Sequence, residues 1–287
     1  MVARMLPFVK MHGLGNSYIY IDAIKHSLDQ IDLPALAKKV SCPGKGIGSD
    51  GLIVIAPSTK AAVKMRIFNK DGSEAKNCGN GLRCVAKYAF ENGYTPGKIF
   101  TIETLGGVVE AEIEKCDENE AWVGIKMGQP TLERKKIPMQ GNDQALVISE
   151  CFAINGHDLV LTAVSMGNPH AVFFVDDFKE DPHMVLGPLI EKDERFPEGV
   201  NVEFVRVQSP SSLVCKVWER GSGITKACGT GACASVVAAI LNGFSKKKTW
   251  IDVQLMGGVL NIRWDDDGIT MKGPATKVAE GFLYKSL

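Results

Sequence analysis

Short apolar runs separated by glycine, proline or polar breaks recur along the whole chain, and that rhythm predicts strands interrupted by a few helices. In the first half, Phe8 to Met11, Tyr18 to Asp22, Leu52 to Ala56, Val63 to Asn69, Ile99 to Thr104, Val108 to Ile113 and Ala121 to Met127 have strand length and composition. Asp32 before Leu33-Pro34 reads as a helix start that Ala35 to Val40 continues. After Cys78, the residues Leu82, Val85, Ala86, Ala89 and Phe90 recur at helical spacing, predicting an amphipathic helix that Asn92-Gly93 ends.

The second half repeats the plan. Leu159 to Ser165, Ala171 to Val175, Val202 to Val207, Val214 to Trp218, Thr249 to Leu255, Val259 to Trp264 and Ile269 to Lys272 read as strands. Asp265-Asp266-Asp267-Gly268 marks a hairpin turn. The run from Gly231 to Asn242 is apolar on every side, which marks a helix surrounded by protein. A curled sheet around a central helix in each half satisfies both patterns.

The halves also share their punctuation. Cys78-Gly79-Asn80-Gly81 is echoed by Cys228-Gly229-Thr230-Gly231, Gly15-Asn16 by Gly167-Asn168, and Gly106-Gly107-Val108 by Gly257-Gly258-Val259. Asn69 and Glu219 each end a strand-like run nine positions before the cysteine, and Asp50 is matched with Asn201 ahead of the next strand. These landmarks recur in order at an offset of about 150 residues, which means two similar domains and not a solenoid of short units. A polar stretch from Gly128 to Asp143 is the expected connection, giving domains 1–128 and 129–273.

Composition narrows the classes. A chain of 287 residues, 45% hydrophobic and 23% charged, suits two globular domains. Its formal net charge of zero provides no footprint for nucleic acid or an anionic membrane. The longest apolar helical stretch, Ala232 to Leu241, is too short to span a bilayer. Met1 to Lys10 lacks the parts of a signal peptide, so a cytoplasmic location and eight reduced cysteines are expected.

The chemistry centres on the duplicated cysteine. One such thiol before a helix ordinarily packs as a small hydrophobe. Two in matched glycine-rich turns point to acid/base work, because a helix N-terminus favours the thiolate. Inverting a stereocentre needs one base on each face of one carbon, one starting as thiolate and the other as thiol. The turn amides suit a substrate carboxylate. Cys84, Cys233, Cys42, Cys116, Cys151 and Cys215 are expected in the core. No CxxC or paired histidine supports a metal site, and no cofactor is expected. Gly46-Ile47-Gly48-Ser49-Asp50-Gly51 satisfies GxGxxG, but a helical pattern precedes it and a strand follows, the reverse of a dinucleotide site. A thiol redox or metal-binding protein is the non-enzymatic alternative. Asn16, Asn69, Asn168, Asn201, Glu219 and Arg220 lie at strand ends, and their pairing across the repeat favours a shared cleft.

Met65-Arg66-Ile67-Phe68-Asn69, Asn77-Cys78-Gly79-Asn80-Gly81, Met166-Gly167-Asn168-Pro169-His170, Trp218-Glu219-Arg220-Gly221 and Ala227-Cys228-Gly229-Thr230-Gly231 resemble diaminopimelate epimerase in order and over both halves. The resemblance implies an α/β (α+β) fold of two pseudo-symmetric domains, each a curled, mostly antiparallel sheet around a central helix, with the active site in the cleft. It implies cofactor-independent interconversion of LL- and meso-diaminopimelate for lysine and peptidoglycan synthesis, a homodimer, and a C-terminal segment, 274–287, returning to the first domain. By the same likeness Cys78 and Cys228 are the acid/base pair. Asn16, Asn69, Asn168, Asn201, Glu219 and Arg220 contact the substrate. Gly79, Asn80, Gly229 and Thr230 hold the reacting carboxylate, and His170 supports the site. An arginine fork on the far carboxylate separates this reading from a proline or hydroxyproline racemase. The chain departs from the family pattern at Ser17-Tyr18, where many relatives have Asp-Phe, and at Gly51, where some have glutamine.

Overall fold

The computed structural model describes residues 5–75 and 78–284. Asn77 of the first cysteine motif and residues 285–287 of the expected returning segment lie outside them. The chain forms two compact units, one of Met1–Lys126 with Lys272–Leu287 and one of Met127–Met271.

The first unit runs β1 (Leu6–Gly13), β2 (Asn16–Asp22), α1 (Leu33–Ser41), β3 (Gly51–Ala56), β4 (Val63–Asn69), β5 (Glu74–Ala75), α2 (Gly79–Glu91), β6 (Ile99–Thr104), β7 (Gly107–Cys116) and β8 (Glu120–Gly128). Neighbouring strands pair antiparallel except β2 with β3 and β4 with β6, which are parallel. Alternation along β2 splits its side chains between two layers. Ile19 and Ile21 meet Leu36, Ala37 and Val40 of α1 on one side. Asp32 caps α1 by accepting from the Ala35 amide at 3.0 Å.

On the other side α2 packs against β1, β2, β4 and β7. The helical spacing predicts a polar face here, yet Arg83 and Lys87 are fully buried. Strands surround the helix, so each cation finds partners inside: Arg83 reaches Asn80 Oδ1 at 2.7 Å and Pro274 O at 3.1 Å, and Lys87 reaches Glu91 and the Asp117 carbonyl, each at 2.6 Å.

The second unit runs β9 (Glu150–Ile154), β10 (His157–Ser165), β11 (Pro169–Phe174), α3 (Pro182–Val185), α4 (Gly187–Glu191), β12 (Asn201–Ser209), β13 (Ser212–Glu219), β14 (Gly223–Ile224), α5 (Gly229–Leu241), β15 (Ile251–Leu255), β16 (Gly258–Asp265) and β17 (Gly268–Leu283). The parallel pairs recur in the same places, β11 with β12 and β13 with β15. Helix α5 touches β10, β11, β12, β13, β15 and β16, which is why its sequence is apolar all round.

The chain leaves the first unit inside β8 and returns inside β17, both in strand residues. The stretch Gly128 to Asp143 follows the first crossing and lies in the second unit. Ile137 and Met139 lie in the core of the second unit, and Arg134 is buried, bonded to Glu150 and to the Gln140 carbonyl. Among the described residues no helix is long and apolar enough to cross a membrane.

Candidate active site

Both cysteines are the N-caps of the central helices. Cys78 has extended backbone (φ −150°, ψ 108°) and its Sγ accepts from the Gly81 amide at 3.3 Å. Cys228 has φ −102° and ψ 106°, and its Sγ accepts from the Gly231 amide, also at 3.3 Å. A sulfur stands where a serine or aspartate oxygen usually caps, at the positive end of a 13-residue helix. That end carries roughly half a unit charge, and it favours thiolate over thiol. The second glycine of each motif stands close to a side chain of a sheet strand: an ideal Cβ on Gly81 would lie 2.7 Å from Ile53 Cδ1, and one on Gly231 would lie 2.6 Å from Glu203 Oε1.

Around Cys78, Asn16 is the hub. Its Oδ1 lies 3.6 Å from Sγ and accepts from Asn80 Nδ2 at 3.3 Å, while its Nδ2 donates to Asp50 at 3.0 Å. Asp50 also accepts from the Ser17 amide at 2.7 Å, so the loop before β3 fixes the start of β2. Tyr18 is buried with its hydroxyl in hydrogen-bond contact with Cys78 and Asn16. Burial, followed by the Cys78 and Asp50 charges, pushes that phenol well above its usual range, so it serves as a donor. Asn69 stands opposite Gly51 but donates to Ser73 Oγ at 3.0 Å and not to the cysteine cluster.

Around Cys228 the polar groups form a chain. Thr230 Oγ1 lies 3.5 Å from Sγ and accepts from Asn168 Nδ2 at 3.3 Å. Asn168 Oδ1 is 3.0 Å from His170 Nε2, and His170 Nδ1 is 2.7 Å from Glu203 Oε1. With Asn168 Oδ1 as acceptor, Nε2 carries a proton. Glu219 bonds Thr225 and contacts Cys228, and burial raises its carboxyl. Burial above all, then the Glu219 and Glu203 charges, pushes the Cys228 thiol well above its usual range, against the pull of Thr230 and the Gly231 amide. Asn201 donates to the Pro169 carbonyl at 2.8 Å and accepts from the Arg220 amide at 3.0 Å. The exposed Arg220 guanidinium rests on the Glu198 carbonyl at 2.9 Å.

Strand register corrects one correspondence. Ile19 faces Leu52 and Tyr20 faces Ile53, while Ala171 faces Val202 and Val172 faces Glu203. Gly51, not Asp50, is thus the counterpart of Asn201, and Tyr18 is the counterpart of His170. Tyr18, Asp50 and Glu203 have no role in the sequence reading of the site. A glutamate inside the apolar run Val202 to Val205 was the available signal for the last. Of the cysteines expected in the core, Cys84, Cys215 and Cys233 are buried, but Cys42 and Cys116 are partly exposed and Cys151 is exposed. Those three sit at a helix end, a strand end and an outward-facing strand position, where single-residue hydrophobicity does not decide burial.

A family model described as Diaminopimelate epimerase matches residues 8–133 and 162–278. The diaminopimelate epimerase of Geobacillus kaustophilus is 56% identical over 282 residues, 98% of this chain and 97% of that protein. That of Geobacillus thermodenitrificans is 57% identical over 278 residues, 96% of each. Among solved structures, a phenazine biosynthesis protein of the PhzF family from Bacillus anthracis covers 98% of this chain and 99% of its own, with TM-score 0.69 and 15% identity. A hydroxyproline epimerase from Agrobacterium vitis covers 98% and 91%, with TM-score 0.66 and 14% identity. At such identities these two speak for the fold alone. The family model and the full-length relatives together establish that this chain belongs to the diaminopimelate epimerase family.

Proposed function

We propose that Cys78 and Cys228 are the paired acid and base of a cofactor-independent epimerisation of LL- and meso-diaminopimelate. One sulfur, as thiolate, takes the α-hydrogen; the other, as thiol, gives a proton to the opposite face of the same carbon. One C–H bond breaks as an S–H bond forms, and the reverse happens at the second sulfur, so the pair ends with its protonation states exchanged. Charge that develops on the substrate carboxylate in between is met by the amides of Gly79, Asn80, Gly229 and Thr230 at two helix N-termini. Asn16, Asn69, Asn168, Asn201, Glu219 and Arg220 bind the remainder of the substrate, with the Arg220 guanidinium suited to its distal carboxylate. His170 supports Asn168. A homodimer in the cytoplasm completes the reading.

The observation that carries it is the identical capping of two buried helices by sulfur at 3.3 Å in both units. A structural cysteine has no need of that arrangement twice. The test is turnover of LL-diaminopimelate in deuterated water, followed by optical rotation and α-deuterium content. Cys78→Ala and Cys228→Ala should each abolish inversion while the protein stays folded. Normal inversion in the double variant ends the reading.

A further inference from the structure

The two half-sites share a backbone frame but not their electrostatics. In the first unit, the side chain against the second glycine is Ile53, whose Cδ1 stands 2.7 Å from the point a Cβ on Gly81 would occupy. In the second unit the equivalent position is Glu203, whose Oε1 stands 2.6 Å from the corresponding point on Gly231. That same point is 3.2 Å from Cys228 Sγ, so the carboxylate oxygen and the sulfur both border the space that Gly231 leaves without a side chain. Glu203 is 0% exposed, and its Oε2 has no hydrogen-bond partner among the described residues.

We propose that Glu203 is a positioning residue that keeps the proton on Cys228 in the resting enzyme, so that the two half-sites begin the reaction unequal. This rests on the reading of Cys78 and Cys228 as the acid/base pair. Two-base inversion starts from one thiol and one thiolate. Two sulfurs capping helices in the same way have no preferred seat for the single proton. A carboxylate facing one of them and an isoleucine facing the other adds to the preference that burial and Glu219 already give Cys228, because negative charge beside a thiol opposes its ionisation.

Every titratable group facing Glu203 bears on this balance. His170 arrives from β11 at 2.7 Å, Glu219 and Cys215 face it from β13, and Cys228 precedes α5. Glu219 adds to the negative field, while His170 draws it the other way. The helix end, the Thr230 hydroxyl and the Gly231 amide favour the thiolate and allow it to form once Cys228 has given its proton to the substrate α-carbon.

The experiment maps alkylation by iodoacetamide at Cys78 and Cys228 separately, by mass spectrometry, as a function of pH. Glu203→Gln should move the Cys228 inflection down by about one pH unit, which is about tenfold faster alkylation below it. Glu203→Ile copies the first unit and should do the same, which covers the case in which the glutamine variant fails to fold. Glu203→Asp keeps the charge and should retain the parent inflection, and Cys78 should change in none of them. An unmoved Cys228 inflection in the folded neutral variants, which is what full cancellation by His170 would give, overturns the proposal. So does an equal fall in Glu203→Asp. The readout needs no turnover, so loss of the acid/base reading in the cysteine variants and loss of this one are separate results.

Discussion

Alanine at the second glycine of each cysteine motif should have opposite consequences in the two units. The backbone cost is the same, since both glycines lie in the first turn of a helix, where alanine is better than glycine by about 0.5–1 kcal/mol. The new methyl group differs in what it meets. At Gly81 it arrives 2.7 Å from Ile53 Cδ1, the free end of an apolar side chain that can turn away for about 0.5–1 kcal/mol. Gly81→Ala should therefore stay within about 0.5 kcal/mol of the parent. At Gly231 it arrives 2.6 Å from Glu203 Oε1, and that oxygen is held by His170 at 2.7 Å in a site with no exposure. Moving it disrupts a buried carboxylate–imidazole pair, at a cost of about 3 kcal/mol. After the helix gain, Gly231→Ala should lose about 2 kcal/mol, a fall of about 4–8 °C in Tm. Urea unfolding and differential scanning fluorimetry on both variants measure the difference, and steady-state epimerisation should show kcat reduced in Gly231→Ala. Equal stability of the two variants, or a more stable Gly231→Ala, would refute the claim that Glu203 is locked against α5.

Two further outcomes follow from buried titratable groups. Burial raises the thiol of Cys84 to about 11 and that of Cys215 to about 12. Because both folded values exceed the unfolded one, their stabilisation is complete below about pH 9 and is lost as pH climbs through the folded values, about 3 kcal/mol for Cys84 alone. Unfolding free energy measured from pH 8 to pH 11.5 should fall steeply above pH 9, and Cys84→Ala should flatten that fall; a level profile in the parent protein contradicts the assignment. Tyr18→Phe removes the hydroxyl beside Cys78 and Asn16 and should cut kcat by about two- to tenfold with little change in Tm, the worth of one neutral hydrogen bond. Unchanged kcat would reduce Tyr18 to a packing residue.

Much of the architecture could be read from local pattern because the signals were unambiguous. Asp32 with Leu33-Pro34 placed the start of α1, Asn92-Gly93 the end of α2, and Val63 to Asn69 and Ile99 to Thr104 coincide with β4 and β6. What failed did so where a tertiary neighbour outweighs spacing. Helical spacing does not show that strands enclose Arg83 and Lys87 of α2, so that their charges pair inward. The polar composition of Gly128 to Asp143 hides that Ile137 and Met139 lie in a core. The strand β9 and the short helices α3 and α4 escaped notice, being too brief to carry a period.

Repetition and motif spacing, both local properties of the string, are enough to show two like halves, a helix after each CGxG and the type of chemistry a paired thiol can do. They cannot rank the halves, because Ile53 and Glu203 occupy equivalent points only once β2 pairs with β3 and β11 with β12. Parallel pairing of strands about 30 residues apart decides which side chain stands behind each sulfur, since contacts and electric fields follow distance in space and not separation along the chain.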